Sequence, residues 1–199
     1  MLRRVHLTIP LALVALVALP TAASAQFGVG IRMASMSGVE TANGTESPER
    51  WFIGGQVRLR GSRAGLEVSL DQHTTTSPEL QLETRRRPFQ TSLLLFMSKS
   101  PIAPYLIGGI GWYSTNVKST APGATDAAVS TRDFGYHFGI GGEFRFGKHV
   151  AAHIDYRWVH VNNNPSDNQI NIPGIGTILD KLGIKTNSSM WTTGATFYF

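Results

Sequence analysis

The amino-acid sequence predicts an all-β fold, an antiparallel up-and-down transmembrane β-barrel of eight strands. Two observations predict it directly: apolar and polar residues alternate with a period of two, and short and long connections alternate along the chain. A third is that the chain has no cysteine, which excludes a disulfide-stapled fold. Beyond the N-terminal segment no stretch is long and apolar enough for a transmembrane helix, and only helices and closed barrels satisfy every backbone group in lipid.

The first 25 residues predict a secretory signal peptide. Arg3 and Arg4 form a positive n-region, residues 7–19 are apolar but too few to span a bilayer, and Ala23-Ser24-Ala25 is a small-x-small cleavage site. We therefore predict a signal peptide over residues 1–25 and a single β-barrel domain over residues 26–199.

Eight segments carry the strand pattern and are bounded by clusters of Gly, Pro, Asn and Ser. In the sixth, large apolar residues such as Phe134 and Phe138 alternate with glycine and charge, such as Gly139 and Glu143. The fourth and fifth are apolar on both faces, and residues 175–182 could add a helical turn within a loop. The predicted strands are 27–37, 51–60, 64–73, 88–98, 104–114, 132–146, 150–161 and 187–199.

Turn geometry predicts the strand register. A two-residue turn at Gly61-Ser62 would pair Leu59 with Ala64 and keep apolar residues on one face. A slip of one residue would reverse the faces. The predicted short connections are 61–63, 98–103 and 147–149, and the long ones are 38–50, 74–87, 115–131 and 162–186.

The sixth and seventh strands give a second register prediction. A three-residue turn over residues 147–149 would pair Phe138 with Trp158 on the apolar face. On the other face, the same turn would place Glu143 opposite His153.

Aromatic residues gather toward the two ends of the predicted strands, as in the girdles of membrane barrels. We predict that these girdles anchor the barrel in lipid. One end carries Trp51, Trp112, Trp158 and Trp191, and the other carries Phe27, Phe146, Phe197 and Phe199.

The signal peptide, the run 104–113 and the terminal Thr196-Phe197-Tyr198-Phe199 carry a family resemblance. In these features the chain resembles the small eight-stranded outer-membrane β-barrels of the OmpA/OmpX-like kind. The resemblance implies a Gram-negative cell outer membrane, short periplasmic turns and four long extracellular loops. It also implies that Phe199 is the assembly signal read by the barrel-assembly machinery.

The glycine-rich face also carries charges of both signs, and we assign it to the barrel lumen. Because eight strands leave an interior just wide enough for side chains, we predict a structural network of ion pairs rather than a conducting path or a catalytic set. The predicted network is Arg32, Arg58, Glu67, Glu143, Arg145, His153, Asp155 and Arg157, with Arg60, Asp71 and His137 on the same face.

The segment from His160 to Asn163 is the clearest enzymatic hint. It resembles the His-x-Ser-Asn motif of barrel-type lipid A deacylases, but Asn162 stands in place of the nucleophilic serine. We therefore predict a non-enzymatic outer-membrane barrel that acts in envelope structure or in surface interaction through its loops. The alternatives are a deacylase-like enzyme centred on His160 and a small passive pore. A soluble periplasmic barrel with a lipid inside is disfavoured, because the charges lie with the glycines.

The expected partners follow from charge and location. The whole chain carries a net charge of +5, too weak to predict nucleic-acid binding. The expected partners are therefore outer-membrane lipid, lipopolysaccharide and an unknown extracellular partner. Residues 85–87 are three consecutive arginines, which are either a contact to lipopolysaccharide phosphate or a solvated charge run. We expect no cofactor and no metal, because the oxygen-rich segment 162–168 has one carboxylate, too few for a calcium site.

Overall fold

The computed structural model describes residues 25–37, 39–40, 46–47, 50–78, 81–120, 128–162 and 187–199. Within these ranges eight strands close into one barrel, in which each strand is antiparallel to both neighbours and β1 closes the ring against β4 and β10. The strands β2 and β3 form a separate two-stranded ribbon. The bounds are β1 Gln26–Met36, β2 Val39–Glu40, β3 Glu46–Ser47, β4 Arg50–Arg60, β5 Ala64–Ser77, β6 Leu82–Phe96, β7 Ile102–Ser119, β8 Ala128–Phe146, β9 Val150–Asn162 and β10 Asn187–Tyr198.

The predicted eight-stranded antiparallel barrel is confirmed, and β1, β4, β9 and β10 begin and end within one residue of the predicted bounds. No helix in the described ranges has the length and apolarity needed to cross a membrane. The predicted signal peptide and the helical turn at 175–182 lie outside the described residues, apart from Ala25.

The predicted long loop 74–87 is wrong, because most of it is strand. Thr74 pairs with Arg85 and Ser77 with Leu82, so only residues 78–81 connect β5 to β6. Thr74, Thr75 and Thr76 are β-branched and favour extended backbone, which explains why the hairpin continues. The third long loop is also shorter than predicted, since β7 and β8 pair as far as Lys118 and Ala128.

The predicted register of β8 and β9 is confirmed. Phe138 is the partner of Trp158 and Glu143 that of His153. Gly147 in the turn has a φ of 76°, in the left-handed region that glycine enters without steric cost.

The predicted register of β4 and β5 is wrong by two residues. Leu59 pairs with Leu66 rather than with Ala64, and the amide of Gly61 donates to the carbonyl of Ala64 across a longer turn. A shift of two leaves every side chain on its predicted face, so alternation alone could not distinguish the two registers.

The two ends of the barrel differ. We call the end with the connections 61–63, 97–101 and 147–149 the turn end, and the opposite end the loop end. From Phe134 to Phe146, β8 rises about 40 Å along the strand. At a tilt of ~40° this is about 30 Å along the barrel axis, close to the thickness of a bilayer's hydrocarbon core.

Beyond Trp112 the strands β5 to β8 continue past the loop end, β7 by about 24 Å along its length. The outward positions of this extension whose side chains the structure describes are polar, whereas the outward positions below it are mainly apolar. This change marks where an apolar surrounding ends. The outward residues of the extension are Gln72, Thr74, Thr76, Glu83, Arg85, Arg87, Ser114, Asn116, Lys118, Ser130 and Arg132.

Candidate functional site: the closed lumen and its surroundings

Glu67 on β5 is the centre of the lumen. Its carboxylate contacts three guanidinium groups: Oε1 lies 3.0 Å from Nη1 of Arg32 and 2.9 Å from Nη2 of Arg157, and Oε2 lies 2.5 Å from Nη2 of Arg58. Alternation along β1, β4, β5 and β9 directs all four side chains inward, as the sequence predicts. The pairing of Arg58 directly opposite Glu67 follows from the observed register of β4 and β5.

Three further carboxylates complete the ion pairs. Glu143 accepts from Nε of Arg60 at 2.5 Å and from the hydroxyl of Tyr198 at 3.0 Å. Asp155 accepts from Nε of Arg157 at 2.6 Å and from the hydroxyl of Tyr105 at 2.9 Å. The fourth, Asp71, lies 3.1 Å from Nε of Arg32.

The network is balanced in charge. Arg32, Arg58, Arg60 and Arg157 face Glu67, Asp71, Glu143 and Asp155, and the most exposed of these eight residues, Arg60, is only 6% exposed. Buried opposite charges attract strongly and would be costly to separate. Four positive and four negative groups therefore fill the middle of the lumen without leaving a net charge.

The other predicted lumen residues lie apart from these ion pairs. Although Glu143 and His153 are cross-strand partners, Nδ1 of His153 lies 3.5 Å from Nε2 of Gln56 instead. Nε2 of His137 lies 2.9 Å from the hydroxyl of Ser92. Arg145 is only partly buried at the turn end, where it donates to the side chain of Gln26 at 2.6 Å.

An apolar layer lies in the lumen above the ion pairs, at the loop end, and it was not among the predicted contents of the lumen. Gln90 links the two, since it accepts from Arg157 at 3.0 Å and donates to the hydroxyl of Tyr113 at 2.9 Å. Counting in twos from Arg32 leads to Met36, so the alternation contained this signal. The apolar layer consists of Ala34, Met36, Phe52, Tyr113, Val159, Val161 and Met190.

A second buried apolar cluster lies at the turn end, on the lumen side of β6 and β7. It explains why the sequence of these two strands is apolar on both faces: one face meets the surroundings and the other packs inside. Its members are Leu94, Phe96, Ala103, Tyr105 and Ile107.

Cationic side chains lie beyond the apolar layer, toward the loop end. Nη1 of Arg50 donates to the hydroxyl of Thr75 at 2.7 Å, and the His73 ring lies 5.3 Å from that of Phe52. Burial lowers the pKa of His73, and the charges of Arg50 and Arg86 act in the same direction.

The predicted girdle residues all lie on the outer face. Trp51, Trp158 and Trp191 are 55%, 43% and 51% exposed, and Trp112 packs between Phe89 and Phe134 at 5.9 and 5.8 Å. At the turn end Phe146, Phe197 and Phe199 are exposed, and the ring of Phe199 lies 5.9 Å from that of Phe27. Their positions match the predicted rows; the anchoring role and the assembly signal at Phe199 stay predictions.

The three consecutive arginines point in two directions. Arg86 faces the lumen and is 1% exposed, whereas Arg85 and Arg87 face outward. Lys118 on β7 and Arg132 on β8 share this outward face, and Glu83, which lies 3.4 Å from Arg85, is the acidic side chain beside them. We call Arg85, Arg87, Lys118 and Arg132 the outer basic strip.

His160 lies on the outer face of β9 near the loop end. Its Nδ1 is 2.8 Å from Oδ1 of Asn187, and its ring stacks on Tyr136 at 4.8 Å. Asn163 lies outside the described residues. Among the described residues, His160 therefore contacts an amide and an aromatic ring, neither of which is a nucleophile. Among the residues that can be described, no group of three or more His, Cys, Asp or Glu is placed to hold a metal ion.

Comparisons with known structures identify the same architecture. Ail of Yersinia pestis, solved in complex with the heparin analogue sucrose octasulfate, matches with a TM-score of 0.55 and 13% identity over 88% of this chain and 99% of that one. Neisserial surface protein A matches with a TM-score of 0.55 and 13% identity over 87% and 97%. A major outer membrane protein of Thermus thermophilus matches with a TM-score of 0.55 and 14% identity, over 88% of this chain and 100% of that one. At these identities the likeness shows the fold alone.

Sequence comparison supplies the family. A search of the curated proteins finds no significant relative. The family model of the outer membrane protein beta-barrel domain matches residues 9–173, most of the chain. The barrel therefore lies in the cell outer membrane, and the chain belongs to the outer membrane protein beta-barrel domain family.

Proposed function

We propose that the protein is a non-enzymatic, non-conducting anchor that holds an extended sheet outside the outer membrane for envelope structure or surface interaction. The observation that carries this proposal is the filled lumen, in which four arginines and four carboxylates pair below an apolar layer. By the convention of such barrels, the turn end faces the periplasm and the loop end faces the exterior.

Two properties of the lumen oppose a passive pore. The ion pairs around Glu67 would have to separate to make a path for ions, which costs several kcal/mol for buried pairs. Any ion would then meet the side chains of Phe52, Met36 and Met190, which offer no polar group to replace its water shell.

The surroundings of His160 oppose a lipid A deacylase. A histidine base needs a hydroxyl or thiol within hydrogen-bond reach, and the side chain beside Nδ1 is the amide of Asn187. Asn162, at the position of the serine in the deacylase motif, adds a second amide.

Lipopolysaccharide is the partner that the outer basic strip favours. Arg85, Arg87 and Arg132 lie just beyond the level of Trp112, where the phosphate groups of outer-leaflet lipid would lie. Arginine presents a planar fork of donors that fits phosphate oxygens. The guanidinium of Arg132 lies 5.8 Å from the Trp112 ring, which holds it close to that level.

The test compares two double variants of the purified barrel. Arg85→Gln with Arg87→Gln should weaken binding of bisphosphorylated lipid A on the order of tenfold, from the loss of two charge-assisted contacts. The matched control, Arg63→Gln with Lys148→Gln, removes the same charge at the turn end and should change the affinity less than twofold. If both double variants weaken lipid A binding equally, the outer basic strip is not the contact for lipid A phosphate.

A further inference from the structure

A cavity of about 230 Å³ opens at the turn end, inside the periplasmic mouth of the barrel. It lies where the start of β1, the ends of β4 and β8 and the turns after β4 and β6 meet. We call it the mouth pocket. Its lining residues are Gln26, Arg60, Gly61, Ser62, Lys99 and Arg145.

The lining of the mouth pocket is strongly positive. Arg60, Lys99 and Arg145 supply three cations, and none of the lining residues is acidic. The carboxylate of Glu143 contacts Nε of Arg60, and it is shared with Arg58 and with the hydroxyl of Tyr198. Because Arg60 is already balanced within the lumen network, Lys99 and Arg145 give the pocket its excess of positive charge.

Arg60 is held rigidly and has an unused donor. Its guanidinium lies 4.2 Å from the centre of the Phe96 ring, its Nε is fixed on Glu143, and only 6% of its side chain is exposed. Within the described part of the chain, the buried Nη2 of Arg60 has no hydrogen-bond partner. A buried donor without an acceptor costs about 1–3 kcal/mol, so an acceptor placed here would be bound with a gain.

Arg145, which also lines the mouth pocket, repeats this arrangement. It lies 5.8 Å from the Tyr198 ring and donates through Nη2 to Oε1 of Gln26 at 2.6 Å. Its Nε is also buried and, as far as the described residues go, lacks an acceptor. Two pre-positioned guanidinium groups, each with a free donor, therefore border one cavity beside Lys99.

We propose that the mouth pocket binds a phosphate group. Free phosphate carries a charge of about −1.5 at pH 7, and the phosphodiester of a phospholipid headgroup carries about −1; both present unesterified acceptor oxygens, which match the excess positive charge and the unused arginine donors. The cavity has roughly eight times the ~30 Å³ that one water occupies in the liquid, so a phosphate group fits with room for a substituent. The phosphate comes either from a phospholipid headgroup of the inner leaflet or from free phosphate in the periplasm.

The test uses the purified full-length barrel in phosphate-free detergent solution, titrated calorimetrically with inorganic phosphate. Arg145→Gln and Lys99→Gln should each weaken binding on the order of tenfold, because each removes one charge-assisted contact. The control is Arg63→Gln, which removes one exposed charge from the same turn end without touching the cavity. It should change the affinity less than twofold. The gel mobility of unboiled samples shows whether each variant is folded. If Arg145→Gln does not fold, the result for Lys99→Gln alone tests the proposal.

A second titration with monomeric short-chain phosphatidylglycerol separates the two sources. Tighter binding of the lipid than of inorganic phosphate assigns the site to a headgroup, and equal or weaker binding assigns it to free phosphate; both support the mouth pocket. Absence of binding for both probes, or the same weakening in Arg63→Gln as in the other variants, overturns the proposal. The outer basic strip lies at the opposite end of the barrel. The outcome of the lipid A binding test therefore does not affect the outcome of the phosphate titration.

Discussion

Glu67→Gln is the most informative perturbation of the lumen, because this carboxylate contacts three guanidinium groups. The substitution preserves shape and removes one negative charge. Arg32 keeps Asp71 at 3.1 Å and Arg157 keeps Asp155 at 2.6 Å. Arg58 keeps only the 3.4 Å contact with Glu143, so it loses the most.

The expected loss of stability is about 3–5 kcal/mol, the typical cost of removing one partner from a buried ion pair. The matched control is Glu83→Gln on the extension. Oε1 of Glu83 lies 3.4 Å from Nη2 of Arg85, and the two side chains are 31% and 39% exposed. Exposed pairs contribute about 0–1 kcal/mol, so the same chemical change should have little effect there.

Urea titration of the barrel refolded in lipid vesicles measures both variants, with the folded fraction read from gel mobility of unboiled samples. Glu67→Gln should lower the free energy of unfolding by at least about 2 kcal/mol more than Glu83→Gln, the smallest gap that the two ranges allow. If both variants lose the same stability, the lumen carboxylate is not compensating buried charge and the reasoning fails.

The remaining predictions concern the outer face, the strand packing and His160. Phe138→Arg, in the middle of the apolar outer face, should cost about 2–4 kcal/mol in the same urea assay, whereas Asn116→Arg on the polar extension should be nearly neutral; similar costs would contradict the face assignment. Gly139→Ala would press its methyl group against the carbonyl of Tyr156 and should cost about 1–3 kcal/mol. Gly55→Ala meets its nearest atom at 3.6 Å and should stay within about 0.5 kcal/mol, so a reversed order would refute the packing argument. His160→Ala should leave lipid A acylation unchanged by mass spectrometry, and lost acyl-chain trimming would support the enzyme.

Period-two alternation predicted the barrel and the face of each lumen residue. It could not determine the register of β4 and β5, because a shift of two residues preserves every face. Charge pairing carried the missing information: the observed register places Arg58 opposite Glu67, whereas the predicted one places it opposite Gly65.

The contents of the lumen were predicted only in part. The charges stood out because charge is rare inside a protein, whereas Met36 and Phe52 looked like ordinary apolar strand residues until the register placed them inward. The mouth pocket was not predictable, since its lining comes from four separate segments of the chain that only barrel closure brings together. Arg145 was predicted on the correct face. It lies at the turn end rather than in the middle of the lumen, so it contacts Gln26 instead of joining the ion pairs.

Electrical recording of the purified wild-type barrel in planar bilayers tests the central claim, that the lumen is closed, most directly. Because paired charges fill the middle of the lumen and the apolar layer covers them, we expect no stable conductance steps above the bare membrane at physiological salt. A large, stable and ohmic channel from the monomer would contradict the account and make the protein a pore.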